Sequence, residues 1–221
     1  WFGGKVSPMY SDIVHVVPCD GYVNNRRGHE PFGETDGDVY KSNKGFSKLG
    51  ASKTPGYTGK VFEPNDIYKG DFARIYLYMA TCYEDRISSW SCPMLAGNSY
   101  PAYKDWVIKM FLRWTANDPV SEKEINRNNA AYAVQKNRNP FVDYPGLEQY
   151  IWGDKQDVPF SYDNYDKPTG IYDIPTVEAP RIVRVYTISG TMVRTADSEA
   201  NALDGLAKGM YIVNGKKYVV N

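Results

Sequence analysis

Histidine is the side chain that most readily exchanges a proton near neutral pH, and this chain has two, His15 and His29. A neutral imidazole beside a phosphodiester can take a proton from an attacking water and act as a general base. His15 lies among valines in the segment Ile13-Val14-His15-Val16-Val17. Such a setting is equally typical of a core histidine satisfied by a backbone group, so the residues alone leave both roles open.

Two groups of polar residues have side chains that suit a metal ion or a phosphate. The first follows His15 and contains Asp20-Gly21, Asn24-Asn25 and Arg26-Arg27. The second is Gln135-Lys136-Asn137-Arg138-Asn139. Each group also has an ordinary structural explanation. Asp-Gly and Asn-Asn pairs form turns, and cationic side chains are favoured at the C-terminal end of a helix.

The three cysteines, Cys19, Cys82 and Cys92, allow at most one disulfide bond. Cys82 and Cys92 are the better candidates for a bridge, because the short stretch between them can loop back. Cys19 is expected to be a small buried thiol. A zinc site formed by Cys19 and His15 would need two more ligands, and no nearby Cys-x-x-Cys supplies them. We therefore do not expect zinc.

The composition is that of a globular protein of one or two domains, with 221 residues, 42% hydrophobic and 24% charged. Its 19 tyrosines against 8 phenylalanines suit half-exposed surfaces and fit an extracellular protein. Because 26 basic residues balance 26 acidic ones, any affinity for nucleic acid must come from a local cluster of Lys and Arg. No apolar run approaches the roughly 20 residues that a membrane-spanning helix needs.

Hydrophobic spacing predicts the helices that would hold these side chains in place. Two helices carry apolar residues at i, i+3, i+4 and i+7, counted from Phe72 and from Val107. Ser121 and Glu124 form a capping box that opens a third helix. This third helix carries three further apolar residues and fades at Asn137; they are Ile125, Tyr132 and Val134.

The remaining elements are predicted from shorter patterns. A fourth, shorter helix is expected from Pro145 to Trp152. Residues 1–62 are rich in Gly, Asn, Asp and Pro, and there only Asp12 to Val17 suggests an ordered element, a strand. Arg181 to Ser189 also predicts a strand, followed by a turn at Ser189-Gly190. Met210 to Val220, with Asn214-Gly215 at its centre, predicts a hairpin with a type I′ turn.

These elements predict an α+β fold in three parts. Residues 1–153 form a mostly helical domain. Residues 154–180 contain four prolines among Asp and Tyr, a pattern typical of an extended linker. Residues 181–221 form a small β-sandwich-like module, which is short for an independent core.

Four segments in a fixed order carry a more specific pattern. They are Asp12-x-x-His15-x-x-Pro18-x-Asp20-Gly21-x-Val23-Asn24 with Arg27 and Pro31-Phe32-Gly33-Glu34, Lys69-Gly70-Asp71-x-Ala73-Arg74, Asp118-Pro119-Val120-Ser121, and Asn126-Arg127-Asn128 leading into Gln135-x-Asn137-Arg138-Asn139-Pro140-Phe141. Together they resemble the bacterial endonuclease I family, secreted or periplasmic nucleases of the ββα-metal (His-Me finger) superfamily. The resemblance covers about residues 1–153 and implies that the remnant of a ββα-metal core lies near the start of this domain.

The resemblance also implies a mechanism. A histidine general base activates a water that attacks phosphorus. One Mg²⁺, or another divalent cation such as Mn²⁺ or Ca²⁺, stabilises the charge on the phosphate and the leaving 3′ oxygen. Asn24 matches the helix residue that binds this metal. The implied reaction is sequence-nonspecific hydrolysis of DNA, with RNA as a second substrate, leaving 5′-phosphate ends.

The family places the general base in a Glu-His-x-x-Pro motif just upstream of a Trp-x-Gly-Gly segment. This chain starts at Trp1-Phe2-Gly3-Gly4, without an initiator methionine or a signal-peptide pattern, which we interpret as a processed or trimmed start. The base is therefore expected upstream of Trp1. His15 is expected to lie near the site without being its base, and His29 is not expected to replace it.

The matched motifs also contain candidate nucleic-acid contacts. Arg27, Arg74 and Arg138 carry the guanidinium group that fits phosphate bidentately, and Asn139 is a candidate orienting or backbone-capping group. A salt bridge to Asp71 or Asp143 is the alternative for Arg74 and Arg138. For the whole chain, two other functions stay open: a nucleic-acid-binding module without catalysis, and a Tyr-rich surface domain that binds glycan or protein.

The end of the chain has a resemblance of its own. The segment Leu206-x-Lys208-Gly209-x-Tyr211-Ile212-Val213-Asn214-Gly215-Lys216-Lys217 resembles the C-terminal sorting domain of type IX secretion substrates, short β-sandwich modules that an export machine recognises. This resemblance implies that residues 181–221 bind export machinery and that the protein is secreted or held at the cell surface. A purely structural hairpin is the alternative.

Overall fold

Two amphipathic helices that pack against each other form the centre of the first part of the chain. The structure, a computed structural model, describes residues 5–162, 183–187, 192–196, 198, 201–213 and 216–220. It divides into two units, Trp1–Lys167 and Pro168–Asn221. The described α-helices of the first unit are α1 (Gly21–Arg27), α2 (Lys69–Cys82), α3 (Glu84–Ile87), α4 (Asp105–Asn117), α5 (Glu122–Gln135), α6 (Pro140–Asp143) and α7 (Leu147–Ile151).

The core of this unit lies between α2, α4 and the loops that precede them. Apolar side chains on the inward faces of both helices are almost completely buried, as the spacing from Phe72 and Val107 predicts. Phe32, from an early loop, packs between Phe72 and Trp114 at ring distances of 4.6 and 6.5 Å. Gly70 lets the first turn of α2 approach the carbonyl of Asp118, which a Cβ atom would contact too closely.

A small antiparallel sheet lies between α1 and α2 in the chain, in a region where the sequence predicts no strand. Its strands are β1 (Tyr40–Lys41), β2 (Lys48–Ala51) and β3 (Lys60–Glu63), with β2 in the centre. Tyr40 is paired with Leu49, and Leu49 with Phe62. The strands are only two to four residues long, too short to show the alternation by which a strand is recognised.

The capping box at α5 is confirmed, because Ser121 and Glu124 bond each other's backbone N–H groups. The three apolar residues expected along this helix are exposed, however, at 45% for Ile125, 47% for Tyr132 and 75% for Val134. The residues that α5 buries are Glu124, Asn128 and Ala131. The expected fourth helix is shorter than predicted, since α7 begins at Leu147 and ends at Ile151.

The second unit contains an antiparallel sheet of four described strands. They are β4 (Val183–Thr187), β5 (Met192–Ala196), β6 (Gly209–Val213) and β7 (Lys216–Val220), in the order β5-β4-β6-β7. The strands predicted within 181–189 and 210–220 are confirmed, whereas the turns predicted at Ser189-Gly190 and Asn214-Gly215 lie outside the described residues, as do Trp1-Phe2-Gly3-Gly4 and most of the predicted linker. A small apolar cluster underlies the sheet; its buried members are Val183, Val185, Ala196, Ala202 and Val213.

The predicted α+β class is confirmed by this combination of helices and antiparallel sheets. None of the helices in the described ranges has the length and apolar character that crossing a membrane requires.

Candidate functional site

Asn24 lies in the middle of α1, a short helix whose start is fixed by its own sequence. The carboxylate of Asp20 accepts hydrogen bonds from the backbone N–H groups of Tyr22 and Val23, at 2.9 and 3.0 Å. The helix ends at Gly28, which has a φ of +57°. Within the described residues the exposed amide of Asn24 makes no hydrogen bond to another side chain. Its oxygen is therefore available to a ligand.

Arg27 anchors the inner face of α1. Its guanidinium group lies over the ring of Phe32, 4.0 Å from the centroid. One terminal nitrogen donates to the Tyr76 hydroxyl at 3.3 Å, and Nε is buried without a hydrogen-bond partner in the described part of the chain. Together with Val23, which packs against the core, Arg27 holds the helix so that Asn24 stays at the surface.

The segment before α1 is a pair of 3-10 turns, Met9–Ser11 and Ile13–His15, so the predicted strand at Asp12 to Val17 is wrong. Asp12 accepts from the backbone N–H of Val14 at 2.9 Å, a local bond that bends the chain into a turn. His15 also bonds locally, since its Nε2 donates to the carbonyl of Met9 at 2.6 Å. These bonds satisfy the backbone N–H of Val14 and the carbonyl of Met9, which in a strand would bond to a neighbouring strand.

Asp12 is the centre of a buried hydrogen-bond network. Tyr78 and Tyr83 each donate a hydroxyl to its Oδ2 at 2.7 Å, and Gln135 donates to Oδ1 at 2.9 Å. Burial acts to raise the pKa of Asp12, but the hydrogen bonds from Gln135, Tyr78 and Tyr83 outweigh it and lower that pKa below its ordinary value. Asp12 is therefore an ionised anchor between the N-terminal segment and α2.

Arg127, on α5, binds the same segment through its backbone. Its two terminal nitrogens donate to the carbonyls of Ile13, Val14 and Val16 at 2.6 to 2.9 Å. The backbone N–H of Ile13 donates a further bond to the side-chain oxygen of Gln135 at 3.0 Å. Neither residue was expected to position this segment, although Arg127 lies inside a matched motif. Its role depends on contacts with residues more than 110 positions away.

Arg74 is only 2% exposed and forms a bidentate ion pair with Glu124, at 2.7 and 2.8 Å. A further nitrogen donates to the carbonyl of Asp118 at 2.9 Å. Asp71, the partner considered from the sequence, is 3.8 Å away and pairs with Lys123 instead. Glu124 therefore caps α5 and neutralises Arg74 at the same time.

Asp71 is the most strongly shifted carboxyl group in this region. Burial raises its pKa to about 6; Lys123 opposes that shift and the nearby charge of Glu124 adds to it. Asp71 lines a mainly apolar cavity of about 580 Å³ that also contacts the start of α1. Its walls include Val17, Pro18, Val23, Phe62 and Phe72.

Arg138 and Asn139 follow α5 and differ in exposure. Arg138 forms the ion pair with Asp143 at 2.7 Å, and a third of its side chain remains exposed (33%). Asn139 is buried, caps α6 by accepting from the N–H of Phe141 at 3.0 Å, and donates to the carbonyl of Arg74 at 3.1 Å. The structure thus brings Arg74, Arg138 and Asn139 into one region around α5 and α6.

The remaining candidates lie at the surface. His29 is exposed just after α1. Cys19 is an exposed thiol, so the expectation that it is buried is wrong, and Cys82 and Cys92 are free thiols and not a disulfide. Among the described residues, no group of three or more His, Cys, Asp or Glu side chains could hold a metal ion by itself. The hard amide oxygen of Asn24 fits a divalent cation as one ligand of several.

Comparisons with known proteins agree with the motifs. The family model described as Endonuclease I matches residues 1–146. An "Extracellular ribonuclease" of Bacillus amyloliquefaciens is 36% identical over 156 residues, which cover 68% of this chain and 49% of that protein. The protein of the same name from Bacillus subtilis (strain 168) has the same identity and coverage.

A more distant relative carries an endonuclease name. "Endonuclease-1" of Buchnera aphidicola subsp. Baizongia pistaciae is 26% identical over 132 residues, or 60% of this chain and 46% of that protein. The chain spans about half the length of the curated relatives it matches. No solved structure matches it significantly.

Proposed function

Because the chain belongs to the endonuclease I family, we propose that the protein is a metal-dependent, sequence-nonspecific endonuclease that hydrolyses phosphodiester bonds of nucleic acid. DNA is the proposed substrate, with RNA as the second. The observation that carries this proposal is Asn24, an exposed amide on a short helix that Arg27 and Val23 hold against the core.

In this proposal Asn24 is one ligand of a divalent cation, Mg²⁺ in the first place and Mn²⁺ or Ca²⁺ as alternatives. The ion supplies charge for the phosphate oxygens and the leaving oxygen. The general base is proposed to belong to a Glu-His-x-x-Pro element upstream of Trp1. His15 supports the site from nearby, since its imidazole holds the turn that precedes α1 through the carbonyl of Met9.

Affinity for the backbone is proposed to come from local clusters of cations, since the net charge is zero. Of the two candidate arginines Arg74 and Arg138, Arg138 is the better placed, because it is partly exposed whereas Arg74 is buried with Glu124. Asp143 accepts from Nε and Nη2 of Arg138, and Asn129 accepts from its Nη1 at 2.9 Å, which holds the guanidinium group in place while part of the side chain remains at the surface. Arg27 is half-buried and is proposed to contact phosphate only at the edge of α1.

Binding to nucleic acid should therefore weaken steeply as salt is added. We expect log K to fall against log[salt] with a slope of roughly −0.9 for each phosphate contact in a duplex. Arg138→Ala should reduce that slope by about 1 and weaken binding to all sequences alike. Fluorescence anisotropy in EDTA between about 50 and 200 mM salt measures both quantities.

The matched control is Lys109→Ala, which removes an exposed, ion-paired cation from α4. A flat salt dependence would contradict the proposed backbone contacts. An equal loss in both variants would show that Arg138 contributes only general charge.

The protein is also proposed to be secreted, because two of its relatives are named extracellular ribonucleases. Residues 181–221 are proposed to act as a sorting module for an export machine. The second unit supports this with its own sheet and its own buried cluster, as expected for a module recognised separately from the enzyme.

Deleting residues 181–221 should leave the nuclease domain folded and abolish export from the native host. Helical circular dichroism and thermal unfolding of the purified deletion variant measure the first effect, and the amount of protein in the culture medium measures the second. Loss of the helical signal would show instead that the tail belongs to the nuclease core.

A further inference from the structure

Tyr22 and Arg26, two exposed residues on the same helix as Asn24, form a surface cluster with the half-buried Tyr40. Tyr22 is 58% exposed, and its ring meets that of Tyr40, on β1, edge to face at 6.1 Å. The guanidinium carbon of Arg26 lies 5.2 and 5.4 Å from the two ring centroids. Arg26 also donates from Nε and Nη2 to the Tyr22 hydroxyl, at 3.0 and 2.8 Å. We name these three residues the α1–β1 platform.

The position of the platform follows from the helix geometry. At 3.6 residues per turn, residues 22 and 26 share one side of α1, and residues 23 and 27 share the next. Val23 and Arg27 face the core. Asn24 therefore lies on one side of this core-facing pair, and Tyr22 and Arg26 lie on the other side of it.

The charge around the platform suits a polyanion. Residues 21–29 and 39–48 contain five basic residues and are bounded by the acidic residues Asp20, Glu30 and Asp38, although acidic and basic residues are equal in number over the whole chain. Lys48 pairs with Glu63 at 3.3 Å. In the part of the chain that the structure describes, Lys41 and Lys44 are exposed and neither forms an ion pair.

We propose that the α1–β1 platform stacks an unpaired base of the substrate beside the cleavage site, so that the protein binds single-stranded nucleic acid in preference to duplex. This inference rests on the proposed nuclease function. Tyrosine rings and guanidinium planes stack on any base, because every base has a π-face. A duplex keeps its bases stacked inside, so it can offer the platform only its phosphates.

The proposed preference for single strands over duplex would not depend on the base sequence of the strand. In this proposal a strand that crosses α1 places one phosphate at Asn24 and a nearby base on Tyr22. Stacking uses the face of the base and leaves its hydrogen-bonding edge unread. The platform would thus select strand state without selecting sequence.

The test measures binding of the full 221-residue chain in EDTA to a fluorescent oligothymidine of about 12 nucleotides, and to the same strand annealed to its complement. The wild-type chain should bind the single strand more tightly at equal salt. Tyr22→Ala should weaken single-strand binding roughly 5- to 150-fold and change duplex binding little. Tyr22→Phe keeps the ring but removes the acceptor of Arg26, so it should retain most of the single-strand affinity.

Tyr162→Ala is the matched control, since it removes another tyrosine that is 71% exposed. An equal loss for Tyr22→Ala and Tyr162→Ala, or an equal loss for single strand and duplex, would overturn the platform. So would a Tyr22→Phe variant that binds as weakly as Tyr22→Ala at an unchanged melting temperature. If the wild-type chain binds neither form, the proposed nuclease function fails as well. Binding that responds to salt and to Arg138→Ala but not to Tyr22→Ala removes the platform alone.

Discussion

Asn24→Ala should abolish DNA cleavage in a protein extended upstream to include the Glu-His-x-x-Pro element. The substitution removes the proposed metal ligand. It should leave the fold intact, because the side chain of Asn24 is exposed and α1 is capped by Asp20 and anchored by Arg27. Loss of a ligand should exceed the roughly 10–100-fold penalty for changing an outer-shell partner of a metal. Plasmid nicking with Mg²⁺ and with EDTA measures the effect.

Three comparisons make this result specific. The 221-residue chain should nick DNA poorly, because a missing general base alone typically costs about 10²–10⁴ in rate. The extended protein should recover that rate, and His15→Ala in it should do less damage than Asn24→Ala. Undiminished activity in the extended Asn24→Ala protein would remove Asn24 from the site. Full EDTA-sensitive activity in the 221-residue chain would place the general base within that chain, and His15 and His29 would then be the candidates.

Arg74→Met should lower the free energy of unfolding by about 3–5 kcal/mol, because it leaves the carboxylate of Glu124 buried without its partner. Arg74 and Glu124 are 2% and 7% exposed, and two hydrogen bonds join them. Urea unfolding followed by circular dichroism gives the difference. The loss should be far larger than for an exposed pair, which contributes at most about 1 kcal/mol.

The double variant Arg74→Met/Glu124→Gln distinguishes the contribution of the ion pair to the free energy of unfolding from the contribution of packing. Glutamine keeps the shape of the capping box and is neutral, so part of the stability should return. Lys109→Met, which breaks the exposed pair with Asp105, is the control and should change stability by less than about 0.5 kcal/mol. A loss below about 1 kcal/mol for Arg74→Met would show that the cavity beside it hydrates Glu124.

The helices of this protein are predictable from the sequence because their apolar residues repeat with the helical period. Phe72 and Val107 begin two such repeats, and both helices are present within a few residues of the expected positions. The third helix was recognised from its cap, but its buried face was not. There Glu124 and Asn128 face inward and form hydrogen bonds with Arg74 and Asn139. A buried face made of polar residues has no hydrophobic pattern from which it could be predicted.

The N-terminal segment could not be predicted for a different reason. Valines around His15 have the composition of a strand, but the conformation is decided by Asp12 and by Arg127, whose contacts cross most of the domain. A window of neighbouring residues contains none of that information. Asn24 is predicted as a ligand only because it belongs to a motif, and that role stays a prediction. Tyr22 and Arg26 lie in the same motif region, but their cluster depends on Tyr40, which the sequence does not place beside them.

The network around Asp12 also determines when the turns that precede α1 can take their final position during synthesis. Asp12 and its partner Gln135 are 123 residues apart in the chain, so the anchor is incomplete until α5 has been made. At about 5–20 residues per second, Gln135 follows Asp12 from the ribosome by roughly 6–25 seconds. For that interval the turns at residues 9–15 lack the hydrogen bonds from Gln135, and for most of it they also lack those from Arg127. The turns that precede α1 are thus fixed only after α5 has been made.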